Sequence, residues 1–251
     1  MTDHIFAGPS LAGIARPPLA DTRWHPPAKG GDLLQLDLRA GDRVCLIDGV
    51  FESAPAVRHK EILLLLASHI AVFGASSMGA LRAAEMARYG MTGVGRIYCA
   101  FARGVFTRDD WVALRHAPAE MDCQPLTLAL ADLIFGLQHA VREKALSARQ
   151  AGRLLRAGAG IFYQDRDWAR IESASALGNN ILESFRTWRA GRWRSQKRED
   201  ALACLSLLTS CRDEPNIRPE YVDTPFLRNF ATASGIDLAR SNFGVTNQNI
   251  L

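Results

Sequence analysis

The chain has 251 residues, 48% of them hydrophobic and 22% charged, with a formal net charge of +4. That balance supports a hydrophobic core without staples and excludes collagenous, fibrous and disordered classes. No apolar run approaches the ~20 residues needed to cross a bilayer, so a membrane role is not expected. Met1 to Pro9 carry no basic region followed by an apolar stretch, and a cytoplasmic protein without a signal peptide is expected. Cys45, Cys99, Cys123, Cys204 and Cys211 are scattered and form no C-x-x-C pair, which predicts buried reduced thiols rather than disulfides or a zinc site.

In chain order, residues 5–7 are a short apolar run ending in Gly8-Pro9-Ser10, a strand feeding a turn. Pro17-Pro18 and Pro26-Pro27 mark irregular connections, and residues 32–38 are a short amphipathic piece. Residues 43–47 read as a buried strand closed by Asp48-Gly49. A helix follows over 56–68, with Val57, Ile62, Leu63, Leu65 and Leu66 as its apolar positions. Residues 70–73 form the next apolar run, closed by Gly74, and a second helix spans 77–88 with Gly90 as a left-handed cap. This alternation predicts parallel strands joined by right-handed helical crossovers.

Residues 112–115 read as a short edge strand leading to His116. Beyond about Ala117 the pattern is helical: 127–145, 147–157, 168–177, 181–190 and 196–210, with Ser147 and Gln150 forming a capping box. The expected fold class is therefore α/β: a small parallel-type sheet with helical crossovers in the N-terminal half, then a mostly helical C-terminal half. The expected division is an α/β core over 1–125, a helical region packed on it over 126–235, and a polar tail over 236–251.

In open parallel sheets, sites form beyond the carboxyl ends of the strands. Three apolar runs end in polar, small-residue segments: Gly8-Pro9-Ser10, Asp48-Gly49-Val50-Phe51-Glu52, and Gly74-Ala75-Ser76-Ser77-Met78-Gly79. The last has the shape of a nucleophile elbow with alanine in place of the first glycine. A serine on that bend lies beside the free N–H groups of a helix start, which can hold an oxyanion. Nucleophile, anion site and plain helix cap all fit this pattern. His59 and Lys60 open the preceding helix and are candidate bases, Lys60 if burial populates its neutral amine; from the pattern alone a solvated first turn is the better reading. Arg82 and Glu85 share a helix face, as a surface pair or an anchor for a carboxylate.

No metal-ligand spacing and no phosphate-binding glycine loop follows a strand, so no metal and no cofactor are expected. The glycine-rich turn from Gly90 to Gly95 follows a helix. The basic stretch from Arg186 to Arg198, with Trp188 and Trp193 interleaved, fits nucleic acid in principle. One short run is better read as a helix face and partner-docking surface, and no nucleic acid is expected.

Together Ile5 to Ser10, Leu46 to Phe51, His59-Lys60-Glu61-Ile62-Leu63, the block VFGASSMGALRAAE over residues 72–85, and Gly90 to Gly95 resemble the core of TfuA-like proteins over about residues 5–135. The resemblance implies an accessory of YcaO-type enzymes in peptide backbone thioamidation, part of the biosynthesis of modified peptides. It implies hydrolysis of a thiocarboxylated, ubiquitin-fold sulfur carrier of the ThiS type, with help in engaging the precursor peptide. The family site is a Ser–Lys pair; carried over, the serine falls on Ser77, ahead of the neighbouring Ser76, and the lysine on Lys60. Ser10, Asp48, Glu52, His59, Ser76, Met78 and Gly79 then line the site or its oxyanion hole, and Arg82 is placed to hold the carrier's tail. A non-catalytic adaptor binding YcaO and peptide, and a serine hydrolase with His59 or His116 as base, are the competing expectations.

Overall fold

The computed structural model describes residues 1–16, 21–52, 54–210, 219, 224–233 and 235. Five strands form one sheet: β1 (Asp3–Phe6), β2 (Thr22–His25), β3 (Arg43–Leu46), β4 (Ala71–Ala75) and β5 (Thr92–Val94). Their order is β2-β1-β3-β4-β5 and every pairing is parallel, as the strand–helix alternation predicts. β1, β3 and β4 are buried along their whole length, which is why their C-terminal parts read as apolar runs rather than alternating ones, while the buried charged residues at the starts of β1 and β3, Asp3 and Arg43, pair with each other at 2.7 Å.

Two helices connect consecutive strands: α1 (His59–Ala67) joins β3 to β4 and α2 (Met78–Met86) joins β4 to β5. Both contribute to one cluster with Val44, Leu46 and Val72, through Ile62, Leu65, Ala83 and Met86. The alternate residues Ile5, Cys45 and Phe73 face the other side of the sheet. β1 steps outward to β2, whereas β3, β4 and β5 step the opposite way. The strand order therefore reverses between β1 and β3, and the crevice above that point is the favoured place for a site.

Two strands carry little signal. β2 is a half-exposed edge strand, and β5 lies within the glycine-rich Gly90–Gly95 segment, followed at once by helix α3 (Gly95–Ala102). The edge strand expected over 112–115 does not form. β2 and β5 already occupy the sheet edges; Asp109–Trp111 form a 3₁₀ turn, and only His116 pairs, with Pro125, in an isolated bridge.

The second half is helical: α4 (Leu130–Arg142), α5 (Ala148–Ala159), α6 (Trp168–Ser175), α7 (Asn179–Arg192), α8 (Gln196–Ser210) and α9 (Pro225–Ala233). The capping box at the start of α5 is present, Ser147 accepting from the Gln150 N–H and Gln150 accepting from the Ser147 N–H. Leu130, Leu133, Leu154, Ile171 and Phe185 centre a core shared by α4 to α7. α8 is different: Ala201, Cys204, Leu205 and Leu208 pack on the open face of the sheet against Ile5, Cys45 and Phe73. A helix from late in the chain is thus the second cover of the α/β layer. Cys45 and Cys204 Sγ meet there at 3.1 Å, both buried, and the Cys45 thiol is pushed up by its bond to Cys204 and by burial. Cys99, expected inside, is exposed, and Cys211 and the tail over 236–251 lie outside the described residues.

Candidate active site at the reversal of strand order

The floor of the crevice is built by the two turns that follow β1 and β3. Asp48, 2% exposed, accepts hydrogen bonds from the Gly8 and Ser10 backbone N–H groups, each at 2.9 Å, and from Ser10 Oγ at 2.7 Å. Ser10 Oγ in turn accepts from Ser76 Oγ at 2.7 Å. A buried carboxylate with three donors is well satisfied, and it locks the two turns together.

The bend between β4 and α2 closes over this floor. Ser76 has a φ of +66°, a left-handed conformation that a non-glycine residue adopts only under constraint, so the strain of the bend sits on Ser76. Ser77 follows as the cap of α2, its backbone N–H donating to Ala75 O at 2.8 Å and Ile47 O at 3.2 Å. Gly79 is required: a methyl group at its Cα would overlap the Leu46 carbonyl oxygen, so only glycine lets the first turn of α2 press onto the end of β3. Among the described residues the Ser77 hydroxyl has no hydrogen-bond partner, and Ser77 lines a cavity of about 510 Å³. Among the described residues the Met78 N–H, at the first position of α2, has no backbone partner either, whereas the Gly79 N–H reaches Ile47 O at 3.4 Å.

The same cavity is lined by Asp48, Glu52, Met78, His116 and Lys197. Lys197, only 2% exposed, is the second residue of α8. Its backbone N–H donates to Asp132 Oδ1 at 2.9 Å, and Ser195 Oγ donates to Asp132 Oδ2 at 3.0 Å, so Asp132 fixes where α8 starts. Lys197 Nζ donates to Val112 O at 3.0 Å and stands 3.9 Å from Asp48 Oδ1. Burial pushes the Lys197 amine down, and the charges of Asp48 and Asp132 only partly oppose that. Burial also pushes the Asp132 carboxyl up, against the donors it receives.

A wider groove of about 990 Å³ opens beside the cavity and shares Val50, Phe51, Glu52 and Met78 with it; Arg82 and Glu85 line its wall. Glu52 holds the rim, accepting from Tyr163 Oη at 2.6 Å, which ties the turn after β3 to the helical half.

The model of the family described as TfuA-like protein matches residues 48–167. Over that stretch the chain is similar to TfuA-like proteins. No curated protein matches the chain. The TfuA-like stretch contains Asp48, Glu52, His59, Lys60, Ser76, Ser77, Met78, Gly79 and Arg82; Ser10 precedes it and Lys197 follows it.

Within this TfuA-like framework the expected residues divide. Asp48, Glu52, Ser77 and Met78 meet at the cavity, with Ser10 and Ser76 hydrogen-bonded beneath. The Gly8-Pro9-Ser10 turn supplies no oxyanion donor, because its two N–H groups point at Asp48 and Pro9 has none. His59 is exposed and its Nε2 meets Glu85 Oε2 at 2.9 Å; Arg82 bonds the same oxygen through Nη1 at 2.5 Å and donates from Nε to Val57 O at 2.8 Å. Lys60, half-buried beside His59, lines neither the cavity nor the groove. His116 does line the cavity, exposed, with Nδ1 donating to Ala117 O at 2.7 Å. Lys197 was hidden in the basic stretch. Its signal is the spacing to Ala201, Cys204, Leu205 and Leu208, which places it on the buried face of α8.

Most of the other arginines of that stretch are engaged within the chain. Arg186 and Arg189 pair with Glu172 at 2.6 and 2.9 Å, Arg192 pairs with Glu143 at 3.0 Å, and Arg198 donates to Ala12 O at 2.7 Å. Among the described residues no cluster of three or more His, Cys, Asp or Glu is arranged to hold a metal ion, and no helix is long and apolar enough to cross a membrane.

Proposed function

We propose that the chain hydrolyses a thiocarboxylated, ThiS-like ubiquitin-fold sulfur carrier at Ser77, releasing sulfide for a YcaO-type partner that installs it in the backbone of a precursor peptide. The similarity of residues 48–167 to TfuA-like proteins supports the accessory role beside YcaO. The observation that carries the chemistry is the Ser77 hydroxyl: it has no partner among the described residues, it sits one residue past a strained bend, and it opens on a cavity beside the start of α2.

A basic amine takes the Ser77 proton as Oγ attacks the thioacid carbonyl carbon. The oxyanion forms next to the Met78 N–H, where a helix N-terminus favours negative charge. The amine passes this proton to the sulfur as the C–S bond breaks, so sulfide leaves as HS⁻ and the amine is free again. Water then attacks the resulting ester while giving a proton to the amine, which returns it to Ser77 Oγ as the ester C–O bond breaks. The sum converts one thiocarboxylate and one water to a carboxylate and hydrogen sulfide. The groove beside the cavity accommodates the carrier's extended C-terminal tail, with Arg82 on its wall facing the tail's charge. Two lysines compete for the base: Lys60, to which the family resemblance points, and Lys197, which lines the cavity.

The test is sulfide release from a C-terminally thiocarboxylated carrier. Wild-type protein releases sulfide with turnover, and Ser77→Ala lowers release by ~10³-fold or more while leaving carrier and YcaO binding in place. Tight binding of YcaO with no release by the wild type would leave the non-catalytic adaptor as the function.

A further inference from the structure

We infer that Lys197, delivered by α8 from outside the TfuA-like stretch, is the base that activates Ser77, with Asp48 and the Val112 carbonyl as the groups that position its amine. The inference rests on the hydrolase reading of Ser77. Three observations carry it.

The first is location. Lys197 and Ser77 line one cavity, whereas Lys60 lies on the first turn of α1 beside the exposed His59 and lines neither opening. The second is chemistry. Lys197 Nζ meets an acceptor at hydrogen-bond distance, Val112 O at 3.0 Å, so once deprotonated the amine still donates one hydrogen there and keeps a lone pair for a proton. Burial drives it in that direction. The third is continuity. Asp48, 3.9 Å from Lys197 Nζ, bonds Ser10 at 2.7 Å, and Ser10 bonds Ser76 at 2.7 Å, the residue directly before Ser77. The elbow and the amine are therefore held by one buried polar chain, whose stiffness fixes one relative to the other.

Nothing in the α/β framework needs a lysine at this position for packing. The apolar residues Ala201, Cys204, Leu205 and Leu208 already fasten α8 to the sheet, and Asp132 already fixes its first turn through backbone and Ser195 bonds. A methionine at 197 would fill the same volume without the amine.

Two assays separate this inference from the substrate assignment. In the first, Ser77 is labelled by a fluorophosphonate probe, which needs an activated serine but no particular substrate. The wild type labels at Ser77 with a rate that rises with pH through a midpoint below that of a free lysine. Lys197→Met labels at least 100-fold more slowly, and Lys197→Arg does not rescue it, because a guanidinium stays protonated. In the second, sulfide release from the thiocarboxylated carrier falls in the same proportion in the same variants. Labelling that is indifferent to Lys197, or lost in Lys60→Ala but kept in Lys197→Met, overturns the inference. Labelling that follows Lys197 while the wild type releases no sulfide sinks the carrier as substrate and leaves the base assignment standing. Should Lys197→Met fail to fold, Nζ titration by NMR in the wild type decides: a midpoint matching the labelling profile supports the inference, and one in the ordinary lysine range defeats it.

Discussion

Asp48→Asn is the most informative single change. The carboxylate accepts from two backbone N–H groups on Oδ2 and from Ser10 Oγ on Oδ1, and Oδ1 also faces Lys197 Nζ at 3.9 Å. The amide oxygen of asparagine can keep the two N–H bonds, but each falls from a charge-assisted to a neutral bond, a loss of roughly 0.5–1.5 kcal/mol apiece. The amide –NH₂ must then take the place of Oδ1. It meets the Ser10 hydroxyl as a second donor, so the Ser10–Ser76 pair has to reverse its direction, and it meets Lys197 with no negative charge. Both groups are buried, so solvent does not screen the change. The sum is a loss of about 2–4 kcal/mol, read as a lower midpoint in urea unfolding with an unchanged slope. The same substitution removes an attraction that favours the charged amine, so Lys197 deprotonates more easily and the Ser77 labelling profile moves to lower pH. A stability loss under ~1 kcal/mol together with an unmoved profile would refute the view that Asp48 organises this crevice.

Two further outcomes follow from the framework. Gly79→Ala forces a methyl group against the Leu46 carbonyl and pushes α2 away from β3, so it costs about 3 kcal/mol, a fall of roughly 6–12 °C in Tm; a Tm within ~2 °C of the wild type would show that the close approach is dispensable. Glu61 is buried, accepts from the Gly31 and Arg58 N–H groups at 2.9 and 3.0 Å, and is pushed up to about 7, mainly by burial. The sign follows from proton binding: the folded state holds this proton more tightly than the unfolded chain. Its contribution to stability is therefore full below about 4.5 and is lost as pH rises toward 7, a change of roughly 3 kcal/mol. A carboxyl-carbon NMR titration of Glu61 with a midpoint below 5 would contradict this.

What the sequence made legible follows the physics of burial. β1, β3 and β4 are covered on both faces, so each finishes in a run of apolar residues ending abruptly in small or polar ones, and the ends of those runs are where Ser10, Asp48 and Ser77 sit. β2 (Thr-Arg-Trp-His) and β5 (Thr-Gly-Val) are half-buried edges, and neither composition nor alternation distinguishes them from loops. The convergence of the turns after β1 and β3 was readable because strand ends share an edge in a parallel sheet. The reversal of strand order that puts Asp48 beneath the crevice was not, since nothing local to residues 22–25 announces that β2 pairs on the far side of β1.

The basic stretch makes the same point about charge. Its residues are close in sequence but lie on two helices and several faces, and each face meets a different partner. Arg186 and Arg189, three apart, share Glu172; Trp188 and Arg192, four apart, share Glu143. Helical spacing thus divides one apparent patch into two internal ion-pair clusters, and a chain-wide excess of positive charge carries no information about which cations remain free. Lys197 is the exception because α8 begins there. Asp132 takes its backbone N–H, the apolar residues that follow turn its side chain toward the sheet, and its amine arrives at the one edge where Asp48 and Ser77 already meet. The helical half is therefore part of the site: without α8 the crevice keeps its serine and its carboxylate but loses the buried amine.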